Sequence, residues 1–281
     1  MYQPPDDLNG TAAIVSGASR GIGRIYALAL AKAGAKVLAT ARTAEGDPGK
    51  PGSLAELAAT AKAEGLDITV RQIDLANEAD IKATVAQCVE MYGSVDAIIN
   101  NATFTISKIE LMEVSREEWE SSFRINILAP YTFMREAAPH MKARGGGSIV
   151  NITSLAGRPS VPGSGAHGFP SYAVTKAALE RLSSYAGADL INTGIAVNAI
   201  SPGNPFFYMK GKNQPDIDFW GSPIVHLAAQ RSPHGITGQI LHTYEFGEKW
   251  GPDFDTLPPR NERILEMLRV SDKPFGYYAA R

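Results

Sequence analysis

The sequence predicts an α/β fold: a single doubly wound domain whose parallel sheet is flanked by helices on both faces. Three observations predict it. Short β-like runs alternate with helical stretches from Thr11 to Gly203. Several of those runs are apolar at nearly every position, as strands buried on both faces must be. A glycine-rich stretch, SGASRGIG (16–23), separates the first strand from the first helix, where such folds make a tight turn.

In order along the chain, TAAIVSG (11–17) is the first strand, and IGRIYALALAKAG (22–34) is a helix ended by Gly34. AKVLATAR (35–42) is a strand, and the Gly/Pro-rich connector 43–52 leads into the Ala-rich helix 53–65. DITVRQID (67–74) is a strand, 76–93 a helix and SVDAIINNA (94–102) a strand. Helical character covers 115–144, with a kink or break required by Pro130 and Pro139. GGSIVNITS (146–154) is a strand, 171–189 a helix, and GIAVNAISPG (194–203) a strand. Beyond Pro202 the pattern loosens: 204–223 is rich in Pro, Gly and aromatics with weak periodicity, 238–246 reads as a last strand, and 260–270 as a short helical piece. The whole chain, 1–281, is expected to be one domain, with 204–236 a substrate loop or lid and 247–281 a C-terminal extension.

Bulk properties narrow the function. With 27 Lys+Arg against 29 Asp+Glu in 281 residues, charge gives no reason to expect a nucleic-acid partner. Cys88 is the only cysteine, so no internal disulfide or cysteine metal cluster forms, and its helical setting reads as buried filler. The five histidines (140, 167, 226, 234, 242) lack HxxxH or HxH spacing, so no metal site is expected. The N-terminus lacks a signal peptide's basic start and apolar run, and no apolar run approaches the roughly 20 residues that span a bilayer. A cytoplasmic protein without a membrane partner is expected.

Two stretches carry chemistry. In SGASRGIG the glycines at 17, 21 and 23 let the backbone turn sharply and approach a pyrophosphate, which the helix N-terminus then attracts. The end of the second strand selects the nucleotide: an acidic side chain there holds the 2′-hydroxyl of NAD, a basic one the 2′-phosphate of NADP. Thr40, Ala41 and Arg42 stand there with no carboxylate among them, and Arg20 lies in the glycine loop, so NADP(H) is favoured over NAD(H). In SYAVTKAALERL (171–182), Tyr172 and Lys176 are four positions apart and share one helix face. A cation beside a phenol favours the phenolate, which predicts a tyrosine pKa lowered from about 10 toward neutrality. The competing reading is a packed tyrosine beside a solvated lysine.

Over roughly residues 8–246 the chain resembles the short-chain dehydrogenase/reductase family, whose fold is Rossmann-like. SGASRGIG is similar to its TGxxxGxG loop, with Ser16 for threonine. NNAT (100–103) is similar to its NNAG motif, with Thr103 for glycine, and INIL (125–128) carries its helix asparagine at Asn126. NITSLAG (151–157) places its catalytic serine at Ser154, YAVTK (172–176) matches YxxxK, and SPG (201–203) its proline–glycine turn. The resemblance implies a tetrad of Asn126, Ser154, Tyr172 and Lys176. Tyr172 would exchange a proton with the substrate oxygen, and Ser154 would hydrogen-bond that oxygen. Lys176 would lower the tyrosine pKa and hold the nicotinamide ribose. Asn126 would hold a water linking Lys176 to solvent. Cofactor contacts are implied at Gly17, Ser19, Arg20, Gly21, Ile22, Gly23, Arg42, Asp74 and Leu75, at Asn100 and Ala102, at Tyr172 and Lys176, and at Pro202 and Gly203 beside Ile200. Ser154, Phe169, Phe206 and Phe207 would face the substrate. Thr153 and Asn151 read as strand residues with structural roles.

The chain departs from the family in three places. Tyr172 lies eighteen positions after Ser154, and the extra length falls in the loop 158–170, where His167 reads as a surface or pocket-wall residue. The connector 43–52 resembles that of members acting on lipid-like or terpenoid alcohols, which implies an apolar substrate. NPFFYMKG follows the SPG turn where a threonine is usual, and TYEFGEKWG (243–251) replaces a glycine pair. The expected function is an NADP(H)-dependent oxidoreductase interconverting an alcohol and a ketone or aldehyde. It is expected to form a homodimer or homotetramer through the helices at 105–144 and 171–189. Competing readings are an NADP-binding sensor without turnover, and a dehydratase or epimerase holding its cofactor tightly. A sensor has no need of all four tetrad residues.

Overall fold

A computed structural model describes residues 8–46, 52–105, 110–158, 169–203 and 217–243. The alternation read from the sequence is the alternation found. Strand β1 is Ala12–Ser16, helix α1 Gly21–Lys32, β2 Lys36–Ala41, α2 Leu54–Glu64, β3 Ile68–Gln72, α3 Glu78–Tyr92 and β4 Ala97–Asn100. Helices α4 (Arg116–Phe123) and α5 (Ala129–Ala143) follow, then β5 (Gly147–Ile152), α6 (Pro170–Asp189), β6 (Ile195–Ser201), α7 (Ile217–Ala228) and β7 (Ile240–His242). All seven strands are parallel, in the order β3-β2-β1-β4-β5-β6-β7.

Side chains alternate across the strands, and each face has its own core. Val15, Val37, Ala39, Ile99, Val150 and Ile200 pack against α1, α2 and α7, while Ile14, Leu38, Ile98, Ile149 and Val197 pack against α3 and α5. Burial on both faces is why these strands read as apolar runs rather than as polar–apolar alternation. Helix starts follow local chemistry. The Ser53 side chain accepts from the Glu56 amide, the Asn77 side chain from the Ala79 amide, and Ser115 with Glu118 forms a reciprocal capping box. Cys88 is fully buried against α3's own core face, with its thiol pushed up to about 12 by desolvation, so it is inert filler.

The long helix expected over 115–144 is interrupted by a π-helical turn, Arg124–Leu128, just before Pro130. A proline cannot continue the hydrogen-bond ladder, so the break precedes it, whereas Pro139 sits inside α5. Asn126 is the buried residue of that turn.

One element escapes the sequence reading: α7 falls in the stretch that looks aperiodic. Gly221 and Pro223 break up its helical pattern, yet Trp220, Ile224 and Leu227 are buried in the α1-side core. Gly221 is there because α1 and α7 touch: a Cβ at 221 would lie 2.3 Å from Ala29 Cβ. Of the stretch expected to form a substrate loop, 204–216 lies outside the described residues, as do the 158–170 loop from 159 to 168 and the chain from 244 onward. Among the described residues, no helix is long and apolar enough to cross a membrane.

Candidate active site

The strand order reverses between β1 and β4, the position at which doubly wound sheets form a ligand crevice beyond the C-terminal ends of their strands. The glycine loop occupies one side of it. Gly17 has φ +70, and a Cβ there would come within 2.8 Å of Ala102 Cα and 2.9 Å of Asn101 Nδ2. A Cβ at Gly23 would lie 2.3 Å from both Asn101 Nδ2 and the Gly17 carbonyl oxygen. Only glycine fits at either place. At Gly21 (φ +58), by contrast, a Cβ would meet nothing within 4 Å, so this lip of the loop is open. Helix α1 begins there with no side-chain cap and no acidic residue in its first turn, leaving its N-terminal amides and positive dipole end to an anion. Ser19 is buried in the loop, Ile22 half-buried and Arg20 exposed.

Ser16 and Asn101 tie this loop to the end of β4. Ser16 Oγ accepts from the Asn101 and Ala102 amides at 3.1 and 3.2 Å, and Asn101 Nδ2 donates to the Ser16 and Gly17 carbonyls at 3.0 and 3.2 Å. Ser16, at the threonine position of the resembled motif, thus fastens the glycine loop to the end of β4. Asn100, its neighbour, is turned into the sheet: its Nδ2 donates to Asn151 Oδ1 at 2.8 Å, and Asn151 Nδ2 donates to Ser183 Oγ at 2.9 Å. The second asparagine, not the first, carries the contacts to the glycine loop.

At the end of β2, Arg42 is exposed and its carbonyl accepts from Gln72. Arg20 reaches toward the same place, donating from Nη2 to Thr43 Oγ1 at 3.3 Å. Asp74 is exposed after β3, with Oδ1 accepting from the Ala76 amide, and Leu75 packs beneath it. At the far side Pro202 is buried and Gly203 (φ +77) turns the chain out of β6.

The second side of the crevice is built by β5 and α6. Ser154 follows β5; its hydroxyl accepts from the Ala156 amide at 3.2 Å and stands near enough to the Tyr172 phenol, in the first turns of α6, to favour the phenolate. Thr153 points the other way: its Oγ1 donates to Glu180 at 2.8 Å, so the two adjacent hydroxyls do not share a site. Lys176 is buried, donates from Nζ to the Ile152 carbonyl at 2.6 Å, and stands 5.4 Å from the centroid of the Tyr172 ring. Asn126 is held on four sides. Its Oδ1 accepts from Thr103 Oγ1 (3.0 Å) and the Phe104 amide (2.7 Å); its Nδ2 donates to the Phe104 carbonyl and to Thr175 Oγ1, both at 2.9 Å. It thereby ties the segment after β4 to α6. Phe169, at the start of α6, is 42% exposed; Phe206 and Phe207 lie outside the described residues.

The electrostatics correct one expectation. The Tyr172 phenol is raised above its usual pKa, because burial outweighs the Ser154 hydrogen bond that lowers it. The Lys176 ammonium is itself brought down to about 8 by desolvation, partly countered by Glu180, and is engaged by the Ile152 carbonyl. The phenol is therefore protonated near neutral pH.

Against known proteins, residues 11–216 match the family described as short chain dehydrogenase. The chain belongs to the short-chain dehydrogenase/reductase family. Its curated relatives include the 3-oxoacyl-(acyl-carrier-protein) reductase of Staphylococcus aureus, 34% identical over 192 residues, covering 68% of this chain and 73% of that one. An uncharacterised NAD-dependent oxidoreductase of Mycobacterium tuberculosis is 33% identical over 202 residues, covering 69% of this chain and 71% of that protein. Among solved structures, a metagenomic short-chain oxidoreductase in complex with NADP superposes with a TM-score of 0.70 at 29% identity, covering 83% of this chain and 97% of that one. As a member of this dehydrogenase family the chain is an oxidoreductase by descent, and its seven-stranded sheet is that of its structural neighbours.

Sequence reasoning did not reach Asn101, Thr175 or Glu180. Asn101 sits beside Asn100, and strand alternation is the signal that separates the two. Glu180 follows Lys176 by four residues, the same spacing that draws attention to Tyr172.

Proposed function

We propose that this short-chain dehydrogenase uses NADP(H) to interconvert a ketone or aldehyde with its alcohol, reduction being the favoured direction. The observation that carries the reading is the convergence of Ser154, Tyr172 and Lys176 at the crevice edge bounded by the glycine loop. The S. aureus relative is named a reductase and the metagenomic neighbour holds NADP, which supports reductive use of that cofactor.

The residues present fit such a group. The glycine cradle and the uncapped start of α1 would receive the pyrophosphate, with Ser19 and Ile22 in the loop. Arg20 and Arg42 would hold the 2′-phosphate; Asp74 and Leu75 would border the adenine; Ala102, Pro202 and Gly203 would border the rest of the cofactor. Asn100 would contribute from beneath, by fixing the β4 end. Bound NADPH supplies a hydride to the carbonyl carbon. Ser154 would orient the carbonyl oxygen, and Tyr172 would pass its proton to that oxygen as negative charge builds there. A phenol raised by burial is held protonated, which suits a proton donor. Lys176 would hold the cofactor ribose and offset charge on Tyr172 after proton loss. The side-chain amide of Asn126 has both lone pairs and both protons occupied, so a water relay at this residue would have to use its backbone. Phe169 would border the substrate, consistent with an apolar carbonyl.

The cofactor choice is tested by Arg20→Ala combined with Arg42→Ala. Losing two charge-assisted contacts to a phosphate predicts NADPH affinity lower by about a hundredfold, with NADH affinity changed about threefold or less. Fluorescence titration with both nucleotides reads this directly. Equal losses for the two would overturn the assignment.

A further inference from the structure

Behind the site lies a buried carboxylate that the reaction described above does not use. Glu180 follows Lys176 by one turn of α6 and Tyr172 by two, so the three side chains share a helix face. Only 8% of Glu180 is exposed, and 2% of Lys176. Glu180 Oε1 accepts from Thr153 Oγ1 at 2.8 Å, and Thr153 Oγ1 also lies 3.4 Å from the Lys176 carbonyl oxygen. Lys176 Nζ is gripped by the carbonyl of Ile152. Consecutive residues at the end of β5 thus hold the ammonium and the carboxylate on one face of α6, more than 4.0 Å apart but close enough for each charge to act on the other. Among the described residues, the other charged group that acts on Glu180 is Arg158, just past the turn that follows Ser154, and Arg158 in turn acts on the buried His242 of β7. Burial disfavours both members of the pair, and each charge offsets the cost of the other.

We infer that Glu180, anchored by Thr153, is a positioning residue for Lys176, keeping its ammonium charged and in place beneath Tyr172 and so setting the upper pH at which the site works. This rests on the reading of Tyr172 and Lys176 as the reacting pair. A Thr–Glu bond that only packs α6 on the sheet would leave the titration of Lys176 unmoved, which separates the two roles.

The test is the titration midpoint of Lys176 in the full chain, followed by NMR of ¹³Cε-labelled lysine, with its signal assigned by its loss in Lys176→Met. In Glu180→Gln the midpoint is expected to fall by about one pH unit, a tenfold smaller ratio of charged to neutral amine above it. Glu180→Asp keeps the charge and is expected to recover at least about half of that shift. Glu180→Leu, a second charge-free variant, is expected to shift in the same direction as Gln. The basic limb of the pH profile for NADPH oxidation by an apolar ketone is expected to move with the midpoint. A midpoint unchanged within about 0.3 unit in the charge-free variants, or the same shift in Asp as in Gln, would overturn the role of Glu180. Absence of turnover in the unmodified chain would count against the reductase reading alone, because the Lys176 midpoint needs no turnover and still decides the matter.

Discussion

Tyr172→Phe is expected to lower kcat for carbonyl reduction by about a thousandfold, while NADPH affinity stays within about twofold of the unmodified chain. The substitution keeps the ring, its packing at the start of α6 and its place over Lys176, and removes only the hydroxyl that Ser154 contacts. What is lost is a proton donor needed in the transition state, so the effect falls on kcat and not on cofactor binding. Steady-state kinetics on the unmodified and variant chains, with the nucleotide titrated separately, separate the two quantities. Retention of more than about a tenth of the rate would show that another group delivers the proton.

Gly23→Ala is expected to damage both the fold and the cofactor site. The added carbon would overlap Asn101 Nδ2 and the Gly17 carbonyl oxygen, both 2.3 Å away. The amide of Asn101 can rotate, but then it surrenders its bonds to the Ser16 and Gly17 carbonyls; the backbone oxygen can move only by reshaping the loop. Overpacking of this kind costs about 1–3 kcal/mol, which for a chain of this size lowers Tm by about 2–5 °C. Because the same loop would cradle the pyrophosphate, NADPH affinity is expected to fall by about a hundredfold. Gly21→Ala, where a Cβ would meet nothing within 4 Å, serves as a comparison: it bears the cost of φ +58 without the clash. Thermal melts and nucleotide titrations on both variants check this; equal effects at the two glycines would remove the steric argument.

The sheet was legible in the sequence because strands buried on both faces are largely apolar, and because α2, α3 and α4 each start at a capping side chain. The two elements that resisted reading did so for local reasons. Helix α7 contains Gly221 and Pro223, one required by contact with Ala29 and the other by nothing the structure explains, and together they hide its periodicity. The break before Pro130 follows from proline chemistry, but its form, a π turn centred on Asn126, is set by tertiary bonds to Thr103, Phe104 and Thr175. In the site, residue identity and spacing located Ser154, Tyr172 and Lys176 on one edge. Spacing carries no information on desolvation, and the direction of the Tyr172 shift follows from burial that only the folded chain reveals. Likewise NNAT presents two asparagines, and which of them faces the glycine loop depends on the pleat at the end of β4.

Turnover with NADPH is the most direct measurement of the proposed function. The purified chain, mixed with NADPH and a panel of apolar ketones and aldehydes, is followed at the nicotinamide absorbance band, and NADP⁺ with the matching alcohols is run in the reverse direction. Oxidation of NADPH by at least one carbonyl, lost in Tyr172→Phe, is the expected result. Tight NADPH binding with no turnover in either direction on any member of the panel would contradict a reductase and point to a nucleotide-binding regulator on the same fold.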